Sequence, residues 1–192
     1  MKVVGLTGGI GSGKTFVSEL FSKLGVPVYI SDKKAKKLMH TDKKLIHSIT
    51  KLFGKKAYVN NNLNREYIAS KVFTDKKLLE KLNAIVHPAV ANDFNKWKAK
   101  QNSKFVIKEA AILFETGSYK TCDKIILVTA PEAIRIERVR KRDNVSERTV
   151  KDRMNNQWLD NQKKMLSDYV INNINRKETE DIVLKINESL KI

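Results

Sequence analysis

The sequence predicts an α/β fold: a parallel β-sheet with helices on both faces, and a helical segment inserted between its strands. Segments typical of strands alternate with segments typical of helices at both ends of the 192-residue chain. The middle, from about residue 33 to 101, is mostly helical, with a turn-rich break near residues 54–64. Five of the eight glycines fall within residues 5–13, between the first strand and the first helix. We therefore expect one domain, 1–192, with a helical subdomain inserted at 33–101.

The predicted strands are short apolar runs bounded by helix or turn signals. They cover Lys2–Thr7, Gly25–Ile30, Lys104–Lys108, Asp123–Thr129 and Tyr169–Asn172. The fourth is an almost continuous apolar run, which is typical of a parallel strand that is buried on both faces. These strands account for the sheet.

Helical spacing and capping residues predict the helices outside the insertion. Apolar residues recur at helical spacing from Phe16 to Leu24, directly after the glycine cluster. Pro131 begins a helix that reaches about Arg142, and Ser146 caps the next one. The last helix covers Glu178–Leu190.

Composition restricts the class of protein. No apolar run approaches the about 20 residues of a membrane span, and the N-terminus lacks the long apolar stretch of a signal peptide, so a cytoplasmic protein without a membrane partner is expected. Cys122 is the only cysteine, which excludes an internal disulfide and a cysteine metal cluster. The net charge of +17 comes from lysines scattered along the chain, which favours an anionic ligand such as a polyphosphate and argues against specific nucleic-acid binding.

The glycine cluster forms a phosphate-binding motif. Gly8-Gly9-Ile10-Gly11-Ser12-Gly13-Lys14-Thr15 matches the P-loop pattern GxxxxGK[ST] between a strand and a helix. Glycines let successive backbone amides face a phosphate chain, and the following helix directs its N-terminal dipole at the same anion. Lys14 supplies a positive charge for the β- and γ-phosphates, and the Thr15 hydroxyl is a candidate Mg²⁺ ligand. The motif predicts a parallel-sheet P-loop NTPase core like that of the nucleoside monophosphate kinases.

An arginine-rich helix favours phosphoryl transfer. Arg138 and Arg142 lie four residues apart, on one face of the helix that begins at Pro131. Such a helix can close over the triphosphate and place guanidinium groups on the oxygens that gain charge. The alternative is an exposed basic helix paired with Glu132 and Glu137. A guanine-specific NKxD motif is missing, which argues against a GTPase.

Asp32 indicates an alcohol acceptor. It follows the second strand, and the carboxyl ends of parallel strands share one crevice. A hydroxyl loses its proton as it attacks, and an aspartate can accept that proton, whereas a phosphate acceptor is already ionised. The alternative is structural, since Ser31 or Asp32 could cap the helix that follows.

The chain resembles the dephospho-CoA kinase family. The resemblance rests on elements in the family's order over about residues 3–173: GLTGGIGSGKT, Asp32, Leu82–Pro88 (LNAIVHP), Ile112–Glu115 (ILFE), Arg138–Asp143, Gln157 and Asp168–Asn173. It implies transfer of the ATP γ-phosphate, with Mg²⁺, to the ribose 3′-hydroxyl of dephospho-CoA in the last step of coenzyme A biosynthesis. It leaves a monomer or a small homo-oligomer open.

The resemblance also implies roles for individual residues. ATP would be held by Gly8, Gly9, Gly11, Ser12, Gly13, Lys14, Thr15, Phe16 and Asn173, the last where the family's chain passes the adenine. Asp32 would be the base, assisted by Lys14 and by Arg138 and Arg142 from a lid at 138–160. Arg65 and His87, with Asp32, would contact dephospho-CoA, although a histidine before a proline can equally be structural.

The sequence departs from the family pattern at two places. Glu109 stands where the family often has aspartate, and its longer side chain puts a direct contact with Mg²⁺ in doubt. Ile30-Ser31-Asp32 keeps only the last acid of a common Asp-x-Asp, which makes Asp32 the acid that is needed. Two alternatives stay open: a P-loop kinase for a nucleoside monophosphate, a sugar acid or shikimate, and a basic nucleic-acid-binding ATPase.

Overall fold

The computed structural model describes residues 1–192, and the chain divides into two compact units. Unit 1 consists of residues 1–30 and 101–192, and unit 2 consists of residues 31–100. None of the helices combines the length and the apolar character that a membrane crossing requires.

Seven strands form two sheets. They are β1 (Lys2–Gly8), β2 (Val28–Ile30), β3 (Tyr58–Val59), β4 (Asn62–Leu63), β5 (Phe105–Glu109), β6 (Lys124–Thr129) and β7 (Tyr169–Asn172). The main sheet has the order β2-β5-β1-β6-β7, and every pair in it is parallel. This confirms the predicted α/β class with a parallel sheet. Since β5 separates β2 from β1, these two strands are not direct neighbours.

Nine α-helices complete the chain. They are α1 (Lys14–Lys23), α2 (Ser31–Thr41), α3 (Lys43–Phe53), α4 (Arg65–Thr74), α5 (Lys76–Lys98), α6 (Glu132–Asp143), α7 (Glu147–Asn155), α8 (Asp160–Met165) and α9 (Arg176–Lys191). The Ser146 cap is confirmed, because its hydroxyl accepts a hydrogen bond from the Thr149 amide. The short helix α8 was not predicted.

The alternative role of Ser31 or Asp32 as the cap of α2 is not seen in the structure. The helix begins at Ser31 itself, directly after β2, so neither Ser31 nor Asp32 occupies the position before the first helical residue. The Ser31 hydroxyl is buried and makes no hydrogen bond within the protein. Asp32 is exposed in the first turn, where the helix dipole favours a negative charge.

The core of unit 1 fixes β1 at the centre of the main sheet. Leu6 on β1 packs with Phe21 on α1, Ile126 on β6 and Ile186 on α9, and all four side chains are buried. Full burial of each such side chain contributes about 1.5–3 kcal/mol. Packing against α1 and α9 therefore fixes β1, the strand that leads into the glycine cluster.

Unit 2 has a helical core of its own. Leu45, Ile49 and Phe53 form the buried face of α3 and pack with Ile68 on α4 and Val86 on α5. The turn-rich segment predicted near residues 54–64 contains the β3–β4 hairpin. Its two turn residues, Asn60 and Asn61, both have positive φ, as a two-residue hairpin turn requires. Helix α5 continues through Pro88.

Candidate active site

The phosphate-binding motif is a turn between β1 and α1. β1 ends at Gly8 and α1 begins at Lys14, so the loop delivers the chain from the sheet directly to a helix N-terminus. Gly13, the residue before α1, has φ +93°, and a Cβ there would overlap the Asn173 side-chain amide. Both the backbone conformation and the close approach therefore require glycine at this position.

Asn173 anchors the loop from the end of β7. Its side-chain amide donates a 2.8 Å hydrogen bond to the Ser12 carbonyl, and its side-chain oxygen accepts one of 3.2 Å from the Thr179 hydroxyl. Its own carbonyl accepts a 3.0 Å hydrogen bond from Arg138. Asn173 is buried, and its hydrogen bonds connect the loop with Arg138 on α6 and with Thr179 on α9.

An open pocket of about 530 Å³ lies against this loop in unit 1. Residues from the loop, α1, α6 and the chain around α9 line it: Gly11, Gly13, Lys14, Thr15, Phe16, Glu19, Arg138, Val139, Arg142, Asn173 and Arg176. Eight of the residues predicted to hold ATP or act as catalysts therefore line one pocket. A larger surface groove of about 710 Å³, between α6 and α7, contains none of the predicted site residues.

Positive charge converges on this pocket. The Lys14 ammonium lies 2.8 Å from the Gly8 carbonyl, where it is held across the loop. Arg138 reaches the loop through the Ser12 carbonyl, at 3.5 Å. Together with the positive end of the α1 dipole, these groups suit a polyphosphate.

Arg142 lies nearer the surface than Arg138. Its side chain is 62% exposed, and it forms a two-pronged contact with Asp143, at 2.7 and 3.0 Å. Hydrogen bonds from Arg142 and then from Arg153 lower the pKa of Asp143 to about 2. Asp143 is therefore a stable anion that holds Arg142 at the end of α6.

Sequence reasoning missed three residues that contact the loop or the pocket. The Arg176 guanidinium lies 4.8 Å from the centre of the Phe16 ring. Arg135 and Gln157 both hydrogen-bond to Ile10 in the loop. Arg135 belongs to the arginine-rich helix, and Gln157 is one of the residues that carry the family resemblance. No local sequence pattern predicts that either side chain contacts Ile10.

Gly8, Gly9 and Ser12 belong to the loop but do not line the pocket, and the predicted residues Asp32, Arg65 and His87 lie in unit 2. Arg65 is the first residue of α4 and His87 lies within α5, and both are exposed, as Asp32 is. Neighbouring protein atoms partly desolvate the His87 imidazole and lower its pKa, so at neutral pH it is an uncharged hydrogen-bonding group. None of these three residues is among those that line the pocket of unit 1.

The chain offers few ligands to a metal ion. It has no group of three or more His, Cys, Asp or Glu side chains that could hold one. The Thr15 residue, in the first turn of α1, is exposed and lines the pocket. Glu109 is buried at the end of β5, in register with Leu6 on one side and Ile30 on the other. This set fits Mg²⁺ that arrives with phosphate oxygens as its main ligands.

Comparison with known proteins decides the family. The family model for dephospho-CoA kinase matches residues 2–179. The chain belongs to the dephospho-CoA kinase family. It is 43% identical over 154 residues to a dephospho-CoA kinase from Porphyromonas gingivalis, covering 80% of this chain and 76% of that protein. The protein is therefore an ATP-dependent kinase of coenzyme A biosynthesis.

Two solved structures share the fold. TT1252 from Thermus thermophilus matches with a TM-score of 0.89 at 30% identity, covering 98% of this chain and 96% of that one. Dephospho-CoA kinase from Campylobacter jejuni matches with a TM-score of 0.62 at 19% identity, covering 99% and 97% of the two chains. The second likeness speaks for the fold alone.

Proposed function

We propose that this chain transfers the γ-phosphoryl group of ATP to the ribose 3′-hydroxyl of dephospho-CoA, giving coenzyme A and ADP. The observation that carries this proposal is the topology of the main sheet. All five strands are parallel, so β1 and β2 end at the same edge. The P-loop follows β1, and Asp32 comes two residues after the end of β2. A phosphate donor and a general base thus follow strands that end together.

One strand lies between the two strands that precede the P-loop and Asp32. Two strand spacings, about 10 Å, separate β1 from β2, because β5 lies between them. Glu109, at the end of the intervening strand, adds a buried carboxylate at the same edge.

Asp32 acts as the general base in this proposal. The ribose 3′-oxygen attacks the γ-phosphorus, the bond from that phosphorus to the bridging β,γ-oxygen breaks, and ADP leaves. The proton of the 3′-hydroxyl passes to the Asp32 carboxylate. Asp32 lies in the first turn of α2 and is exposed, so its carboxylate is accessible to a hydroxyl.

Lys14, Arg138 and Arg142 stabilise the phosphates. Lys14 binds the β- and γ-phosphates throughout the reaction, while the two arginines act most strongly when charge develops on the transferred group. The Thr15 hydroxyl would be a ligand of Mg²⁺. Mg²⁺ bound there would neutralise charge on the β- and γ-phosphate oxygens. Phe16, Asn173 and the glycines of the loop complete the ATP site.

Arg65 and His87 bind the acceptor in this proposal. Dephospho-CoA carries a pyrophosphate, and the exposed guanidinium of Arg65 suits it. The neutral imidazole of His87 suits a hydroxyl or an amide. In this proposal the region 138–160 is the lid over the phosphates, and the subdomain at 33–101 binds dephospho-CoA.

The proposal is tested by ADP release from Mg·ATP with dephospho-CoA as acceptor. AMP, dTMP, shikimate and gluconate run in parallel, and mass spectrometry identifies the phosphorylated product. We expect turnover with dephospho-CoA and one phosphate added to the ribose 3′-position, shown by its loss to a 3′-nucleotidase. Turnover with another acceptor only, or phosphate at another position, contradicts the proposal.

A further inference from the structure

Both backbone polar groups of Ile10, in the middle of the P-loop, are held by side chains from far along the chain. The Ile10 amide donates a 2.8 Å hydrogen bond to the Gln157 side-chain oxygen, across 147 residues. The Ile10 carbonyl accepts a 2.9 Å hydrogen bond from Nε of Arg135, across 125 residues. The peptide groups on either side of Ile10 are therefore fixed from outside the loop.

Arg135 packs tightly against the loop. Its side chain is only 11% exposed, and a Cβ on Gly9 would overlap its guanidinium group. The same guanidinium forms a 3.1 Å ion pair with Asp160. Arg135 thus links the loop to the first residue of α8.

Gln157 belongs to a segment that is itself anchored. Its side-chain amide donates a 3.3 Å hydrogen bond to the Ala111 carbonyl, and the next backbone amide, of Trp158, donates one of 2.9 Å to Glu115. Glu115 in turn lies 2.9 Å from the ammonium of Lys163, which is fully buried, although the pair is not aligned as a hydrogen bond. The segment 157–160 therefore gives Ile10 a fixed support.

Such a support has a physical reason. Four of the six residues from Gly8 to Gly13 are glycines. Glycine loses more backbone freedom on folding than any other residue, at about 1–2 kcal/mol for each residue that is fixed. Contacts from outside the loop are what hold it in one conformation before a phosphate binds.

We propose that Arg135 and Gln157 are positioning residues for phosphoryl transfer, which hold the Ile10 peptide groups so that the loop amides face the ATP phosphates. Neither side chain lines the pocket, so they act through the loop rather than on ATP. The inference rests on the proposed function of the loop as the ATP site. It adds that ATP affinity depends on a support formed by α6 and by the segment between α7 and α8.

The test compares Gln157→Leu with Gln162→Leu. Gln162 also accepts a hydrogen bond from a backbone amide, at Leu159, but it does not touch the loop. In Gln157→Leu we expect the Ile10 amide to exchange with deuterium at least ten-fold faster and the Kd for Mg·ATP to rise about ten-fold, the size of one lost buried hydrogen bond. The KM for dephospho-CoA should stay close to wild type, and the Tm should fall by only about 2–4 °C for each kcal/mol lost. Gln162→Leu should change neither the exchange nor the Kd.

Two further variants test the two hydrogen bonds to Ile10 separately. Gln157→Glu retains an acceptor for the Ile10 amide, so protection of that amide should return. Arg135→Lys retains a charge for Asp160 but lacks the planar fork, so the Kd for Mg·ATP should rise as in Gln157→Leu.

Unchanged Ile10 exchange and ATP affinity in Gln157→Leu would overturn the proposal. A fall in Tm with equal losses for both substrates would also overturn it, since it would show a merely structural role. Exchange and ATP binding need no acceptor, so a failure of the assigned acceptor chemistry would be seen separately in the turnover assay.

Discussion

The loop between β1 and α1 and the candidate acceptor residues of unit 2 are built in opposite ways. Asn173, Arg138, Arg135 and Gln157 reach the loop from three other parts of unit 1, and each hydrogen-bonds to its backbone. Asp32, Arg65 and His87 are exposed, and α2, which carries Asp32, has no buried residue.

This difference predicts that changes at the loop affect ATP affinity, whereas changes at the exposed residues of unit 2 affect the catalytic step or acceptor binding. A loop held from several sides is formed before its ligand arrives, so a change there should alter ATP binding first. An exposed side chain on a helix does little for stability, so a change there should alter only the step in which it takes part. The following predictions test this contrast.

Asp32→Asn should have the largest effect on turnover. Loss of a general base lowers kcat by about 10²–10⁴-fold, while the Kd for ATP and the Tm should stay nearly unchanged because Asp32 is exposed and outside the loop. Steady-state kinetics and an ATP titration measure both. Asp42→Asn is the control, since Asp42 caps α3 and asparagine caps equally well. Turnover at the wild-type level would remove Asp32 from the chemistry.

Lys14→Ala should affect binding and turnover together. Lys14 lies within the loop and would contact the phosphates in both the ground state and the transition state, so the Kd for ATP and kcat should each worsen by about 10–100-fold. Isothermal titration with ATP measures the first. The control is Lys23→Ala, an exposed lysine in the last turn of the same helix. An unchanged ATP titration would argue against the loop as the phosphate site.

Arg142→Ala should lower kcat about ten-fold and change the Kd for ATP less. Arg142 faces the pocket but makes no hydrogen bond to the loop, unlike Arg138, and Asp143 keeps its 2.7 Å contact with Arg153. The missing charge therefore counts mainly where charge develops on the transferred group. Arg140→Ala, exposed on the same helix and outside this pocket, should have no effect. Equal losses in ATP affinity and in kcat would show instead that Arg142 binds ATP in the ground state as well.

The sequence predicts local features well and long-range contacts poorly. The P-loop lies within eight consecutive residues, and the five strands of the main sheet are separate apolar runs, so both could be predicted. The contacts of Arg135 and Gln157 with Ile10 join residues more than 120 positions apart, which no local pattern encodes. The alternative of a cap at Ser31 or Asp32 is not seen because α2 begins at Ser31, directly after β2, so both residues lie within the helix.

Arg65→Ala should have the smallest effect, and this effect should be confined to the KM for dephospho-CoA. An exposed ion pair contributes about 0.2–1 kcal/mol, so the KM for dephospho-CoA should rise no more than about five-fold, and less at high salt. Steady-state kinetics at two ionic strengths measures it, with Lys76→Ala as control, since Lys76 begins α5 as Arg65 begins α4. The Kd for ATP and the Tm should not move. A rise in both substrates' constants would show that the two regions are coupled, and the contrast between a preformed nucleotide site and an exposed acceptor surface would no longer hold.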